Sequence, residues 1–184
     1  MKVYIVRHGE IDLNKTKTVS GRKFDVPLNE KGRQQAKDLA KDILEPKEEY
    51  NIKHIFCSSM VRGRETASYV EEVLGIKAIA DKRLEEQDFG IFDGHCWDEE
   101  EYQRVRHSPF EKIEDGESIL DVVHRAYSFL DEMLAMPLEG NVLLVCHNTV
   151  GRLLSTYFAS YTMDAYKKIF WNNCELHCFE VSKR

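Results

Sequence analysis

Short apolar runs with strand character recur along this chain and alternate with helical stretches. The runs occupy residues 3–6, 54–57, 78–80, 142–146 and 176–181. Apolar residues at helical spacing line one face of residues 30–44 and 118–134, and a further helix is predicted at 149–161, directly after the fourth run. Such alternation is typical of α/β proteins. We therefore predict a three-layer α/β/α sandwich around a mostly parallel sheet.

Length and charge limit the classes of protein that this chain can be. It has 184 residues, 42% of them hydrophobic, which is enough for one core and short for two complete domains. We expect a single domain over residues 1–184, with residues 94–117 forming a small cap segment. The formal net charge of −6 argues against binding to nucleic acid. A phosphorylated ligand would need a local basic pocket.

The N-terminus and the cysteines bear on cellular location. The first segment reaches Arg7 after a handful of apolar residues, too few for a secretory signal, and no apolar stretch approaches the roughly 20 residues that span a bilayer. Five cysteines make an odd count and are most simply reduced thiols. We expect a cytoplasmic protein with no membrane attachment, and the sequence leaves its oligomeric state open.

Two histidines follow predicted strands. Arg7-His8-Gly9-Glu10 comes directly after the first strand, and His147-Asn148 comes after the fourth. The carboxyl ends of the strands in an α/β sheet are where such proteins bind ligands. One three-residue motif is weak evidence, because such matches arise by chance.

Two further elements strengthen this interpretation. Arg62 lies in the turn that joins the second strand to a helix, and the carboxylates Glu85, Glu86 and Asp88 precede a glycine turn. Permanently charged arginine forks suit the oxygens of a phosphoryl group.

With these elements in order, the chain resembles the histidine phosphatase superfamily, in the branch that also holds the cofactor-dependent phosphoglycerate mutases. The similarity runs nearly end to end. The matching residues are Arg7-His8-Gly9-Glu10, Asn14, Gly21, Asp25-Val26-Pro27-Leu28, Gly32, Gln35-Ala36, Arg62, Glu65-Thr66-Ala67, Glu86, Phe89-Gly90, Gly116-Glu117-Ser118, Asp121-Val122, Arg125 and His147.

The resemblance implies a phosphohistidine mechanism. His8 would be the nucleophile, Glu86 the proton donor, and Arg7, Arg62 and His147 would bind the phosphoryl group, whose charge needs preorganised donors. A slip of one residue in the comparison would move the acid to a neighbouring carboxylate.

Three further positions complete the predicted substrate site. The resemblance places Asn14 and Gly21 in the pocket. Asn148 stands where many relatives have glycine, so its side chain would narrow the pocket or add a hydrogen-bond donor. No nucleotide-binding glycine motif occurs in the chain, so we predict no cofactor.

We expect a metal-independent phosphomonoester hydrolase that acts on a small phosphorylated metabolite. Mutases of the family carry a Trp-Arg-Arg element in a long insertion and a tyrosine at the position of Phe89, whereas the corresponding stretch here is short and acidic at residues 98–101. The chain therefore looks like the α-ribazole phosphatase and sugar-phosphate phosphatase branch, which is loose in substrate choice. A phosphoglycerate mutase and an inactive module that binds phosphorylated ligands remain the alternatives.

Two other chemistries fit the sequence poorly. A cysteine-dependent phosphatase needs five residues between its cysteine and arginine, but Cys57 and Arg62 enclose four. Along the last strand, alternation points His177 away from Cys174 and Cys178, so we predict no metal site there.

Overall fold

A five-stranded sheet forms the centre of the molecule. The computed structural model describes residues 1–45 and 50–181. The strands are β1 Lys2–Arg7, β2 Ile52–Ser58, β3 Ala78–Asp81, β4 Asn141–Cys146 and β5 Leu176–Glu180. They lie in the order β3-β2-β4-β1-β5, where β5 is antiparallel to β1 and the other pairings are parallel. The prediction of a mostly parallel sheet is confirmed.

Helices follow or precede each of these strands, and some of them begin at local capping signals. They are α1 Asp12–Lys15, α2 Glu30–Leu44, α3 Val61–Leu74, α4 Glu100–Val105, α5 Ile119–Ala135, α6 Asn148–Phe158 and α7 Met163–Lys168, and 3-10 turns occur at Lys82–Leu84 and Gly90–Phe92. Asn29 accepts a hydrogen bond from the Gly32 backbone N–H at 2.8 Å and starts α2. Ser118 and Asp121 form a reciprocal capping box at the start of α5.

Alternate strand residues build the two apolar layers. In β1, Tyr4 and Val6 pack in a cluster with residues of α2 and α3. Val3 and Ile5 point to the other face and pack with residues of α5 and α6. Helices therefore cover both faces of the sheet, and the predicted three-layer sandwich is confirmed.

Predicted and observed element bounds differ by a few residues. Helix α6 begins one residue earlier than predicted and ends at Phe158 rather than at residue 161. It stops because Ala159 is in an extended conformation. Thr162 then caps α7 and accepts a hydrogen bond from the Ala165 backbone N–H at 3.2 Å. The last strand ends at Glu180, one residue before the predicted end.

Residues 94–117 contribute to a third, smaller apolar cluster. Tyr102, Val105 and Ile113 from this segment pack with Val19 and Phe89. The description of the segment as a cap, and of the whole chain as one domain, stays a prediction. Separately, no helix in the described part of the chain is long and apolar enough to cross a membrane.

Candidate active site

Adjacent strand ends bring the two predicted histidines together. Strands β1 and β4 are neighbours, with Arg7 opposite Cys146 in their register. The His8 backbone N–H donates to the Cys146 carbonyl at 3.0 Å. The imidazole rings of His8 and His147 have their centroids 5.1 Å apart. Both side chains therefore lie at the carboxyl edge of the sheet, where ligands bind in α/β folds.

His8 is held in one orientation and kept neutral. Its Nδ1 lies 2.7 Å from the Gly9 carbonyl oxygen, which assigns the ring proton to Nδ1 and leaves a lone pair on Nε2. Burial, with the charges of Arg62 and Arg7, lowers the pKa of His8 well below its usual value. A neutral imidazole with a free Nε2 can attack phosphorus.

His147 is held between Ser58 and Arg62. Its Nδ1 accepts from Arg62 Nε at 3.2 Å, so its proton is on Nε2, which donates to Ser58 Oγ at 2.8 Å. Burial and the neighbouring Arg62 charge lower the pKa of His147 well below its usual value. His147 is therefore a neutral, fully buried group at this edge.

Arg62 lies behind the cavity wall rather than in it. Its Nη1 donates to the Phe24 carbonyl at 2.7 Å, and its Nη2 donates to the Ser20 and Gly21 carbonyls at 3.3 and 3.4 Å. The side chain is 1% exposed. Arg62, Gly21 and His147 do not line the cavity in this structure. Of these three residues, Arg62 provides positive charge from behind the cavity wall, and His147 accepts a hydrogen bond from its Nε.

Arg7 lines the cavity beside His8. Its Nη1 donates to the Trp171 carbonyl at 2.9 Å, and its guanidinium carbon lies 5.4 Å from the centroid of the Phe170 ring. Its buried Nε has no hydrogen-bond partner in the described part of the chain. Burial lowers the pKa of Arg7 to about 10, so the group stays charged at neutral pH. Arg7 can therefore bind an anionic oxygen.

Of the three candidate acids, Glu86 is the one that lines the cavity. Its Oε1 accepts from the Gln87 backbone N–H at 2.9 Å, and its Oε2 accepts from the Thr149 backbone N–H at 3.2 Å. Glu85 instead forms an ion pair with Arg22, and Asp88 accepts from a backbone N–H in the following turn. Glu86 is thus the carboxylate in contact with the cavity, and its role as the acid stays a prediction.

Arg125 on α5 holds the segment that carries Glu86. Its Nη1 donates to the carbonyls of Arg83 and Glu85 at 2.8 and 2.7 Å, and its Nη2 donates to the Glu86 carbonyl at 3.1 Å. Its Nε also pairs with Glu117 at 2.9 Å. One guanidinium therefore fixes the backbone on both sides of the candidate acid.

A cavity of about 210 Å³ opens beside His8. Its walls are formed by Arg7, His8, Glu10, Ile11, Leu13, Asn14, Thr18, Val19, Ser20, Glu86, Phe89, Trp97, Tyr102, Arg106, Asn148, Thr149, Phe170 and Asn173. Asn14 Oδ1 accepts from the Ile11 backbone N–H at 3.1 Å, and Asn148 Oδ1 accepts from the Trp171 backbone N–H at 3.2 Å. Each asparagine therefore has its amide nitrogen available for a ligand.

Sequence reasoning missed the loop at residues 170–173. Phe170 and Trp171 contact Arg7, and Asn173 Nδ2 donates to the His8 carbonyl at 2.8 Å. Neither periodicity nor a motif marks this loop, because it acts through a backbone carbonyl and through packing against strand ends far away in the sequence. Ser58 was missed too, although its place as the last residue of β2 was a usable signal.

Cys57 is the next-to-last residue of β2 and is buried. Burial raises the pKa of the Cys57 thiol to about 11, so it is protonated at neutral pH. Among residues 1–45 and 50–181, no group of three or more His, Cys, Asp and Glu side chains could hold a metal ion.

Comparison with protein families and curated relatives gives matches over most of the chain. The family model described as "Histidine phosphatase superfamily (branch 1)" matches residues 3–184. The "Probable phosphoglycerate mutase GpmB" of Cronobacter sakazakii is 33% identical, over 96% of this chain and 83% of that protein. Its namesake in Escherichia fergusonii is 34% identical, over 85% of this chain and 74% of that protein.

Solved structures share the fold. Bacillus stearothermophilus YhfR is 28% identical with a TM-score of 0.82, covering 98% of this chain and 91% of that chain. A mycobacterial glucosyl-3-phosphoglycerate phosphatase complexed with VO3 is 23% identical with a TM-score of 0.84, covering 96% and 91%. A putative α-ribazole-5'-P phosphatase from Escherichia coli is 21% identical with a TM-score of 0.82, covering 97% and 89%. The last two likenesses concern the fold alone.

Proposed function

The chain belongs to branch 1 of the histidine phosphatase superfamily, and from this premise we propose that it is a metal-independent phosphomonoesterase that forms a phosphohistidine on His8. The observation that carries the proposal is the state of His8 itself. A buried, neutral imidazole with its Nε2 lone pair free lies in a cavity wall that the charged side chain of Arg7 also lines. We expect a small phosphorylated metabolite as substrate and action in the cytoplasm.

In the first step, His8 Nε2 attacks the phosphorus atom, and the bond from phosphorus to the ester oxygen breaks. Arg7 and the N-terminal end of α6 stabilise the charge on the equatorial oxygens, with Arg62 adding positive charge from behind. Glu86 gives a proton to the departing oxygen. A like charge brought next to a carboxylate favours its protonated form, so the phosphate of the substrate prepares this donor.

In the second step, water attacks the phosphorus atom of the phosphohistidine. Glu86, now a carboxylate, takes the proton from that water, and the bond between phosphorus and His8 Nε2 breaks. Inorganic phosphate leaves, and His8 returns to its neutral form. The sum of both steps is hydrolysis of one phosphomonoester to an alcohol and phosphate.

The test follows phosphate release from a panel of phosphomonoesters with EDTA present. We compare wild type with His8→Ala and with His124→Ala, a matched control on the exposed face of α5. Wild type and the control should release phosphate, and His8→Ala should not. Glu86→Gln should lower kcat by about 10²–10⁴, the range of general acid catalysis. Equal release by wild type and His8→Ala, or no release from any compound, would overturn the proposal.

A phosphoglycerate mutase is the second candidate, because that is the name of the relatives at 33–34% identity. Hydrolysis is favoured by the absence of the Trp-Arg-Arg element and by the apolar Phe89, which lines the cavity and packs edge-on against Tyr102 at 5.5 Å. Phosphorus NMR of 3-phosphoglycerate distinguishes the two. Conversion to 2-phosphoglycerate faster than phosphate release would favour the mutase.

A further inference from the structure

The chain between α7 and β5 returns to the end of β1 and forms hydrogen bonds there. The Cys174 backbone N–H donates to the Arg7 carbonyl at 2.9 Å, and Arg7 Nη1 donates to the Trp171 carbonyl, also at 2.9 Å. Asn173 Nδ2 donates to the His8 carbonyl at 2.8 Å. The turn at residues 171–174 is therefore joined to both residues that the proposed mechanism places at the phosphorus atom.

This turn contains a residue with an unfavourable backbone conformation. Cys174 has a φ of 58°, in the left-handed region, which costs a residue of this type roughly 1–2 kcal/mol. Such a conformation persists where surrounding contacts determine it. At Cys174 these contacts are the bond to the Arg7 carbonyl and packing of the side chain against the cluster of Ile11 and Leu28. Backbone strain beside a candidate nucleophile suggests a functional constraint on the turn.

His8 is fixed at three points, and Asn173 provides one of them. The His8 backbone N–H donates to the Cys146 carbonyl at 3.0 Å, and the ring Nδ1 lies 2.7 Å from the Gly9 carbonyl oxygen. Asn173 holds the third polar group, the His8 carbonyl. Because the imidazole is attached to this backbone through Cα and Cβ, a rotation of the His8 peptide would move Nε2 away from its line of attack.

Asn173 also lies close to a second residue of the cavity wall. Its Nδ2 is 3.5 Å from Asn14 Oδ1, at the long limit of a hydrogen bond, and that oxygen already accepts from the Ile11 backbone N–H at 3.1 Å. The bond to the His8 carbonyl is the shorter of the two. We therefore expect Asn173 to act mainly on His8.

The preceding asparagine makes different contacts. Asn172 is exposed, and its backbone N–H and its Nδ2 both donate to Glu175 Oε2, at 2.8 and 2.9 Å. Asn172 and Asn173 are alike in sequence, but of this pair Asn173 is the one that reaches His8. Asn172→Ala is accordingly the matched control for Asn173→Ala.

We propose that Asn173 is a positioning residue that acts through His8, because its side-chain amide holds the His8 carbonyl and thereby aims Nε2 at the phosphorus atom. This inference rests on the proposed function, since it concerns the nucleophile of that reaction. A misplacement of about 1 Å at a reacting group can cost on the order of 10² in rate. Loss of the amide should therefore affect kcat much more than KM.

The test measures kcat and KM for the phosphomonoester of the panel that wild type hydrolyses fastest. Asn173→Ala should lower kcat by about 10 to 10² and change KM by less than about threefold. Asn173→Asp keeps the shape of the side chain but replaces the donor with a carboxylate oxygen, so kcat at saturating substrate should fall at least as far. Asn172→Ala should keep kcat within about twofold of wild type.

Two further measurements separate aiming of His8 from a general loosening of the pocket. In calorimetric titration, Asn173→Ala should bind inorganic phosphate within about threefold of wild type, because the backbone bonds that hold Arg7 remain. Phosphoramidate can phosphorylate His8 directly, with release of ammonia, and mass spectrometry follows the product. This reaction should be at least about tenfold slower in Asn173→Ala than in wild type.

Several outcomes would overturn this inference without touching the proposed function. These are an unchanged kcat in Asn173→Ala, an equal fall of kcat in Asn172→Ala, or a loss of phosphate affinity as large as the loss of kcat. Equal rates of phosphorylation by phosphoramidate would overturn it too. Urea unfolding checks that each variant is folded, and Asn173→Asp provides the comparison if Asn173→Ala is not. Absence of phosphate release by wild type from the whole panel would instead count against the proposed function.

Discussion

The protein should lose stability as the pH falls from 7.5 to 5.5, because two buried histidines stay neutral. Burial, together with nearby arginine charges, lowers the pKa of His8 and of His147 well below the usual value. In the unfolded chain both return to a pKa of about 6.5 and take up protons below it. The stabilisation is therefore fully present above pH of about 6.5 and decreases below it, down to the lowered pKa values of the folded protein.

The magnitude follows from proton linkage. Consider a histidine that stays neutral in the folded protein. At one pH unit below the pKa that it has in the unfolded chain, it lowers the free energy of unfolding by about 1 kcal/mol. His8 and His147 together should therefore lower the free energy of unfolding by about 2 to 3 kcal/mol when the pH falls from 7.5 to 5.5. Other groups also titrate in this range, so the useful quantity is the difference between variants.

Urea unfolding at pH 7.5 and pH 5.5 measures this difference. His8→Gln and His147→Gln should each reduce the loss between the two pH values by about 1 kcal/mol. His124→Gln, which changes a solvent-exposed histidine on α5, should leave the loss unchanged. If wild type and all three variants lost the same free energy on acidification, the buried pair would not be neutral and the reasoning would be refuted.

Two further predictions concern the segment that carries the candidate acid. Arg125→Lys keeps the charge but loses the guanidinium fork that holds three carbonyls. It should lower the free energy of unfolding by about 2 to 3 kcal/mol, or the Tm by roughly 4 to 12 °C, and should lower kcat more than it raises KM. An unchanged Tm in a thermal scan would contradict this. Gly90 has a φ of 55°, and a Cβ added there would collide with the Glu114 carbonyl oxygen. Gly75 has a similar φ of 66°, but a Cβ added there would meet no other atom, so Gly75→Ala is the control for Gly90→Ala. In urea unfolding, Gly75→Ala should cost about 1 to 2 kcal/mol and Gly90→Ala clearly more, and equal costs would show that the close approach to Glu114 is unimportant.

Much of the architecture was readable from local patterns. Helix α2 has the predicted bounds of residues 30–44, because its apolar face and the Asn29 cap are both short-range features. The five strands lie where apolar runs predicted them. The ordered motifs around His8, Arg62, Glu86 and His147 together indicated the family that the comparisons show. The catalytic roles of the individual residues stay predictions.

Only the tertiary structure shows which of several similar side chains lines the cavity. Three carboxylates within four residues are alike in sequence, and only the carbonyls held by Arg125 decide that Glu86 lines the cavity. Likewise, Arg104 and Arg106 are alike in sequence, but Arg104 pairs with surface carboxylates, whereas Arg106 lines the cavity.

The sequence by itself determined the elements and the residue types at their ends, since propensity, capping and periodicity act over a few neighbouring residues. Only the tertiary structure decided that β1 lies beside β4, which brings His8 to His147, and that residues 170–173 pack against Arg7. Those contacts depend on which apolar faces pack together across long separations in the chain. The protonation states of the two histidines follow from that packing, because burial and neighbouring arginines set them.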